Sequence, residues 1–451
     1  MQEYSYNKDE LLELAQNRKY VQLREKLTHI NEVDTADFIT ALPEAQQMLV
    51  FSLAGKEVAA DVFAALPSEN QESLIDSLND QQLSAIVEDM AMDDMVDIIG
   101  EMPANIVKRI LQRAKPETRE LINKFLRYPE DSAGSIMTAE FIDLKKEMSV
   151  KDAITRIKRL ANDMETIYIV YVTDLQRRLE GLVTFKNLIL ARDDTLVEDI
   201  MDKDVISVKT TDDQEHVAEV FNKYNFLTLP VVDAENRLVG IVTVDDAVDV
   251  MEDEATEDIE KMAALQPSEK PYLKTGVFEL AKNRIVWLLV LMVSAMITGL
   301  ILAHYENAFV AVPMLVSFIP MLTGTGGNSG SQSSTLIIRG MTVGELAPKD
   351  WFLVLWKEIR VGFIVGVILG GVNFLRIYFL FKGATISIAL TVSLAMCCTV
   401  MLAKTLGCLI PIVAKQLKID PAMMAAPFIS TIVDGVSLIL YFNIARLILS
   451  L

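Results

Sequence analysis

Past residue 280 the sequence turns apolar in five stretches, near 285–303, 309–338, 361–381, 384–413 and 422–449, each long enough to cross a bilayer. Backbone polar groups inside such stretches must be satisfied internally, which makes helices the expected spanning elements. Charge changes at the same boundary. Residues 281–451 carry 12 Lys/Arg and 6 Asp/Glu, a net of +6, whereas residues 1–280 carry 30 and 56, a net of −26. The first 280 residues read as a soluble, strongly acidic assembly. Such a surface repels phosphate backbones, so no nucleic-acid partner is expected and cations are favoured. The first thirty residues are polar, without the apolar core of a signal peptide, which assigns the soluble part to the cytoplasm. Cys397, Cys398 and Cys408 are odd in number and lack a spacing pattern, giving neither a disulfide framework nor a zinc site.

The second apolar stretch is interrupted by Gly324-Thr325-Gly326-Gly327-Asn328-Ser329-Gly330-Ser331-Gln332, with Pro313 and Pro320 before it. It reads as a helix broken at membrane depth, which requires protein or a water-filled cavity around the break. No strand precedes the glycines and no Gly-Lys-Ser/Thr follows, which sets a nucleotide loop aside. Lys282 and Arg284 precede the first stretch, Arg339, Lys349, Lys357 and Arg360 lie between the second and third, and Lys415 and Lys418 lie between the fourth and fifth. The loop His304–Asn307 has no Lys or Arg, while Arg376 and Lys382 run against the trend. The balance puts the N-terminus inside and the C-terminus outside, and an odd number of spans suits a dimer whose copies line one path. In the fifth stretch Asp434 falls mid-run, where a charge costs about 2.5–3.5 kcal/mol and normally faces a protein-lined cavity. Steps of three and four connect it to Met423, Pro427, Ser430, Ser437 and Tyr441, a partly polar stripe. The alternative is a structural Asp paired with a neighbouring helix.

Residues 8–127 read as helix after helix, with Leu42-Pro43, Leu66-Pro67 and Met102-Pro103 at the junctions, a pattern of stacked helical pairs. Residues 130–253 hold a weak repeat. Ser135–Thr138, Ile167–Val170 and Gly181–Thr184 correspond to Asp199–Met201, Leu229–Val232 and Gly240–Thr243. The repeat resembles a tandem pair of CBS domains, modules that often bind adenosine nucleotides through a Gly-hydrophobic-hydrophobic-Ser/Thr-x-x-Asp element whose Asp holds the ribose. The second copy keeps Gly240, Thr243 and Asp246; the first has Gly181, Thr184 and then Asn187, preceded by Lys186. ATP is therefore expected at one copy at most, with Tyr168 and Asp246 as candidate contacts, and a purely structural pair is the alternative. Asp245–Glu260 holds nine acids and no Lys or Arg. As a helix it puts Asp246, Asp249, Asp253, Glu257 and Glu260 on one face, where they repel unless a cation neutralises them. Glu88, Asp89, Asp93, Asp94, Asp97 and Glu101 form a second acidic patch. A solvated acidic face explains either patch alone; both together beside a membrane segment favour a hard cation, Mg²⁺ or Ca²⁺.

The combination resembles the MgtE family of magnesium channels and transporters over nearly the whole chain. The motifs that carry the likeness are Gly324-Thr-Gly-Gly-Asn328-x-Gly330-x-Gln332, Asp420-Pro421-Ala422 with Pro427 and Asp434, and Asp245-Asp246-x-x-Asp249 followed by Glu254-Ala-Thr-Glu257-Asp258. The expected fold is a multidomain membrane protein. It has an all-α superhelical N-terminal domain (1–128), an α+β tandem CBS pair (129–192 and 193–254), an acidic linker helix (255–276) and a five-helix α transmembrane domain (277–451). The resemblance implies a homodimeric Mg²⁺ channel of the inner membrane, embedded in lipid, with its pore on the dimer axis between the second and fifth spans. Asp434 would hold the ion, and Gly324, Asn328, Ser430 and Pro427 would line the narrow region. It also implies regulatory Mg²⁺ at Asp93, Asp97, Asp213, Asp246, Asp249, Glu254, Glu257 and Asp258, with Asp420 near the inner mouth. Val310 stands where some relatives carry an outward-facing acid, with Glu306 as the nearest substitute.

Three rival readings are of different kinds. A carrier coupled to Na⁺ or H⁺ would tend to show paired broken helices in symmetric halves, and one such break is expected here. An intramembrane aspartyl protease needs two membrane carboxylates, whereas the other acids of the membrane half lie at span ends or in loops. A receptor-like sensor without transport leaves Asp434 and its stripe unexplained.

Overall fold

Proline sets the helix junctions at the start of the chain. Pro43, Pro67 and Pro103 stand immediately before the helices Glu44–Ala54, Ser68–Ser77 and Ala104–Arg113, with φ of −56°, −57° and −57° and extended ψ. Each fixes the entry angle one residue before the first turn, and the apolar residue ahead of it (Leu42, Leu66, Met102) is buried. The computed structural model describes residues 8–450 apart from 56, 57, 269–271, 274 and 425. The chain divides into two compact units, Met1–Met251 and Glu252–Leu451.

The first unit begins with ten helices among the described residues, from Lys8–Gln16 to Pro116–Phe125. Helices pack against the next but one along the chain, as stacked pairs do, around Phe38, Leu74, Ile75, Leu83 and Phe125. Asn79 caps its helix through a reciprocal bond with Gln82, a sequence-local stop for the preceding turn.

The repeat that follows is built from two three-stranded sheets of one design. Strands β1 (Asp143–Leu144), β2 (Ile169–Thr173) and β3 (Leu179–Thr184) form one; β4 (Val208–Lys209), β5 (Thr228–Val232) and β6 (Leu238–Thr243) form the other. In each, the first pair is parallel, the second antiparallel, and the register slips at the end of the middle strand, at Val172/Thr173 and at Val231/Val232. The copies interlock. Thr138, in the first copy ahead of β1, pairs with Ile241 of β6, and Asp202, in the second, pairs with Leu182 of β3. Gly181 and Gly240 make this crossing feasible, because a Cβ on either would come within 2.8 Å of the carbonyl of Asp202 or Thr138.

In the second unit, four helices among the described residues are long and apolar enough to cross a membrane: Val277–His304, Pro348–Leu380, Ile386–Gln416 and Ala422–Leu449. The sequence expectation of five apolar spans is met by four on this measure. A further long helix, Ile319–Thr342, is in contact with the last two and is rich in Gly, Ser and Thr, which lowers its hydropathy. It also corrects the expected break. Gly324–Gln332 is continuous α-helix, and the irregular backbone lies earlier, in the 3₁₀ turn Pro313–Phe318. The glycines serve close packing instead. A Cβ on Gly407 would collide with the carbonyl of Gly330, and one on Gly327 with the Ser430 hydroxyl. In lipid, where association relies on contact and not on water exclusion, small residues let backbones approach in this way. Gly362, Gly366 and Gly370 repeat the device against Met401, Cys397 and Ser393. Val277–His304 has no buried residue and packs on Ala426–Leu449, leaving residues such as Leu289, Met292 and Met296 exposed.

The acidic linker also differs from its expected bounds. The helix runs Val244–Met262, continuous with the element that follows β6, and ends well short of 276; residues 269–271 and 274 of the expected span lie outside the described residues. Thr243 explains the early start, since its hydroxyl bonds Asp246 across the first turn.

Candidate ion-binding sites

Two acidic patches that lie about 150 residues apart in sequence meet in the first unit. Asp93 and Asp94 open the helix Met92–Glu101, and Asp245 and Asp246 open Val244–Met262. Asp93 is only 8% exposed. Burial, then the charges of Asp246 and Asp94, push its carboxyl up to about 8. Asp94 is pushed to about 6 by burial and by Asp246, Asp61 and Asp245. Glu165, from the loop before β2, joins them and is raised to about 7 by burial and by Asp245, Asp246 and Asp94. Asp246 is raised by burial, against the opposing hydrogen bonds from Thr243. These directions share one cause: carboxylates gathered in a partly dry site repel one another and hold protons. Among the described residues no group of three or more His, Cys, Asp or Glu side chains is arranged to grip a metal ion directly. The donor set is nevertheless all hard oxygen, which fits Mg²⁺ retaining much of its water.

Other members of the expected set are employed differently. Asp213 is exposed and caps Gln214–Tyr224 by accepting from the Glu215 amide. Glu88 accepts from the Lys115 amide and Thr118 and pairs with the Lys115 ammonium at 3.0 Å. Glu101 accepts a hydrogen bond from Ser68. Asp249 contributes to the field on Asp246, and Asp97 lies one turn beyond Asp93 and Asp94.

The second unit holds a different acidic arrangement. Lys261 Nζ lies 2.7 Å from Glu257 Oε1 and 2.8 Å from Asp420 Oδ2, tying the end of the acidic helix to the turn before Ala422. Burial works against the ammonium, but hydrogen bonds to Asp420 and Glu257 outweigh it and its pKa is raised. Asp258 is raised by burial and by Asp420, and accepts from Thr342 at the end of Ile319–Thr342. Glu254 lies one turn before these residues on the same helix. The resemblance names Glu257, Asp258 and Asp420; it does not name Lys261, which neutralises two of them, nor Glu165. Lys261 is visible in the sequence as the first base after nine acids. Glu165 carries no local signal.

In the membrane helices the expected stripe on Ala426–Leu449 is largely a packing face. Ser430 abuts Gly327, Ser437 approaches Gly326, and Tyr441 is buried, donating to the Leu315 carbonyl at 3.0 Å. Pro427 accepts from Thr431 at its carbonyl. Asp434 is half-buried and makes no hydrogen bond or ion pair among the described residues. Gly324 and Asn328 point away from the other helices of the chain. With Gln332, Thr335 and Arg339 they form an exposed polar line on Ile319–Thr342 at spacings of three and four.

Tyr168 and Asp246, taken together in sequence as nucleotide contacts, do not share a site. Tyr168 lines a cleft of about 660 Å³ with Thr184, Phe185, Lys186, Ile189 and Leu227, on the first copy's motif, whereas Asp246 belongs to the acidic cluster.

A membrane unit with a small-residue helix core, joined to an interlocked β repeat and a stacked-helix domain, is the domain order of a membrane transporter. The MgtE model, described as a divalent cation transporter, matches residues 319–444; the MgtE intracellular N domain matches 30–131 and CBS domains match 133–194 and 197–253. The chain is 36% identical over 431 residues to the magnesium transporter MgtE of Thermus thermophilus, covering 95% of each, and 30% identical to that of Bacillus subtilis over 96% of this chain and 95% of the relative. The soluble part of a magnesium transporter aligns with TM-score 0.52 and 32% identity over 55% of this chain and 98% of that one. The cytosolic domain of the Mg²⁺ channel MgtE in complex with ATP aligns with TM-score 0.51 and 38% identity over 53% and 98%. The chain belongs to the MgtE family of divalent cation transporters.

Proposed function

We propose that the protein is a Mg²⁺ channel whose opening is controlled by Mg²⁺ on its soluble side. The observation that carries this reading is the exposed polar line Gly324–Asn328–Gln332 on a membrane-unit helix. Lipid would leave those groups unsatisfied, so the line is suited to a water-filled path. An isologous second copy, placing two such lines face to face, would supply the other wall, with N-termini on the cytoplasmic side and the membrane that of the cell. Mg²⁺ sheds its water reluctantly, so small and polar residues beside a pair of Asp434 carboxylates suit recognition of the hydrated ion. Ile319–Thr342 is the fifth span of this reading. It is continuous, with the irregular backbone confined to the turn Pro313–Phe318 before it.

Control follows from the acidic sites. Mg²⁺ that binds Asp93, Asp94, Glu165, Asp245 and Asp246 better in one arrangement than another biases the protein toward that arrangement by the difference in affinity. Asp97 and Asp249 flank this site on its two helices, and Glu254, Glu257, Asp258 and Asp420 form a separate acidic group within the second unit. The cleft around Tyr168 and Lys186 is the reading's place for ATP, supported by the ATP complex of the similar cytosolic domain. The deciding experiment is Mg²⁺ flux and single-channel current from purified protein in liposomes. Discrete Mg²⁺ currents that close as Mg²⁺ rises on the soluble side are expected; transport without such currents, dependent on a Na⁺ or H⁺ gradient, would replace the channel with a carrier.

A further inference from the structure

A polar chain, buried at Lys404 and Ser333 and half-buried at Glu358, joins three helices of the membrane unit. Lys404, well inside Ile386–Gln416, is 5% exposed, and its Nζ donates to Ser333 Oγ of Ile319–Thr342 at 3.3 Å. Ser333 Oγ, itself 1% exposed, donates in turn to Glu358 Oε2 of Trp351–Leu380 at 2.6 Å. The stem of Lys404 lies along Gly362, whose absent side chain leaves room for it: a Cβ there would stand 3.7 Å from Lys404 Cβ and Cδ. A hydroxyl both accepts and donates, so Ser333 can link an ammonium to a carboxylate without a charge of its own. An ionisable side chain in a membrane helix turns to the bundle interior and finds a partner. Lys404 does so through a residue on the helix that also carries Gly324 and Asn328.

Ser333 lies on the opposite face of that helix from Gly324: nine residues at 3.6 per turn bring it half a turn round. The remaining contacts of this buried face are largely small. Gly326, Gly327 and Gly330 permit close approach to neighbouring helices, but they supply no directional bond. The Lys404–Ser333–Glu358 chain is directional. We infer that Lys404 and Glu358, joined through Ser333, form a charge pair between helices that fixes the rotation of Ile319–Thr342 and so aims its polar line into the ion path. Both are positioning residues, acting through the helix and not on the ion. The inference rests on the reading of that line as the wall of the path.

A charge-removal cycle tests it. Lys404→Met, Glu358→Gln and the double variant are compared in liposomes for the ratio of Mg²⁺ to K⁺ flux. Labelling of buried Cys408, with Cys397 and Cys398 replaced by Ala, reports the same packing without reference to transport. Each single variant leaves one charge without its partner, Lys404 in a buried position or Glu358 in a half-buried one, and is expected to lower the flux ratio and speed Cys408 labelling by about tenfold or more. The double variant, with no charge stranded, should return both to within about threefold of the parent, and Lys404→Arg should retain both. Single variants that fail to fold beside a double variant that folds support the pair equally. A double variant as impaired as the two single losses multiplied, or one that does not fold, overturns the pair. Singles that change labelling while leaving the flux ratio intact overturn the positioning role. A parent protein that passes no Mg²⁺ overturns the channel reading, and Cys408 labelling then still decides whether the pair exists.

Discussion

The two ends of the helix Val244–Met262 keep their acids in opposite ways. At its start Asp246 meets Asp93, Asp94 and Glu165, and burial together with the charge of neighbouring carboxylates raises all four carboxyls. Near its end Glu257 and Asp420 are bridged by the Lys261 ammonium. A resident cation makes an acidic contact persistent, whereas a cluster lacking one responds to whatever cation arrives. The first end is therefore suited to sensing and the second to holding an anchor. Asp434, with no ion pair among the described residues, belongs with the first kind.

If that division is right, the largest effect should come from the unpaired membrane carboxylate. Asp434→Ala is expected to cut Mg²⁺ flux by about a hundredfold or more while leaving the protein folded, since it removes the fixed charge at that depth. Asp420→Ala should stay within about threefold in an indicator-loaded liposome assay, because Lys261 still holds Glu257. Near-normal flux through Asp434→Ala would break the comparison at its strongest point.

Next in size is control. Neutralising Asp246, Asp249, Glu254, Glu257 and Asp258 together should leave the channel open at high Mg²⁺ on the soluble side, because Mg²⁺ then lacks differential affinity for the closed arrangement. Most of the −26 charge of residues 1–280 remains to favour separation. Patch recordings with varied internal Mg²⁺ check this, and inhibition as sharp as in the parent would remove the helix from the control mechanism.

The sensing end should also carry a pH signature. The folded protein retains protons on Asp93, Asp94 and Glu165 up to about pH 8, 6 and 7, while the unfolded chain releases them near pH 4. Their contribution to stability is present at low pH and falls as pH rises through this window, by on the order of a few kcal/mol without divalent cations. Melting in EDTA should become easier from pH 5 to pH 8, and millimolar Mg²⁺ should restore stability most at pH 8. A melting temperature indifferent to pH in EDTA would contradict the buried cluster.

The smallest change is expected at the anchored end. Lys261→Met leaves Glu257 and Asp420 facing one another and should lower stability by about 1 kcal/mol, a partly exposed pair being screened. It should also make that end Mg²⁺-responsive, so that Mg²⁺ raises the variant's melting temperature more than the parent's. Equal Mg²⁺ stabilisation of both would mean that Lys261 does not stand in for a cation.

Legibility differs by physical cause. The proline junctions, the β repeat and the apolar spans are readable because each is written in local pattern. The glycine run reads as a break in sequence and is helix in the structure. Glycine weakens helices in water, but here it lies at helix contacts, where the absent Cβ lets Gly330 and Gly407 meet. The acidic patches are visible separately. Their meeting depends on how distant segments pack, which no spacing encodes, and Glu165 and the capping role of Asp213 are hidden for the same reason. Lys404 is legible by the logic applied to Asp434: a lone charge in an apolar run marks a partner inside the bundle.

Counting the protons released when Mg²⁺ is titrated into the full-length protein at pH 7 asks directly whether the cluster of Asp93, Asp94, Glu165 and Asp246 is the Mg²⁺ sensor. Binding to carboxyls that hold protons must displace them. Release of about one proton per ion bound at this site is expected, abolished in Asp93→Asn/Asp246→Asn and preserved in Lys261→Met. Saturable Mg²⁺ binding without proton release, or release unchanged by the double substitution, would contradict it.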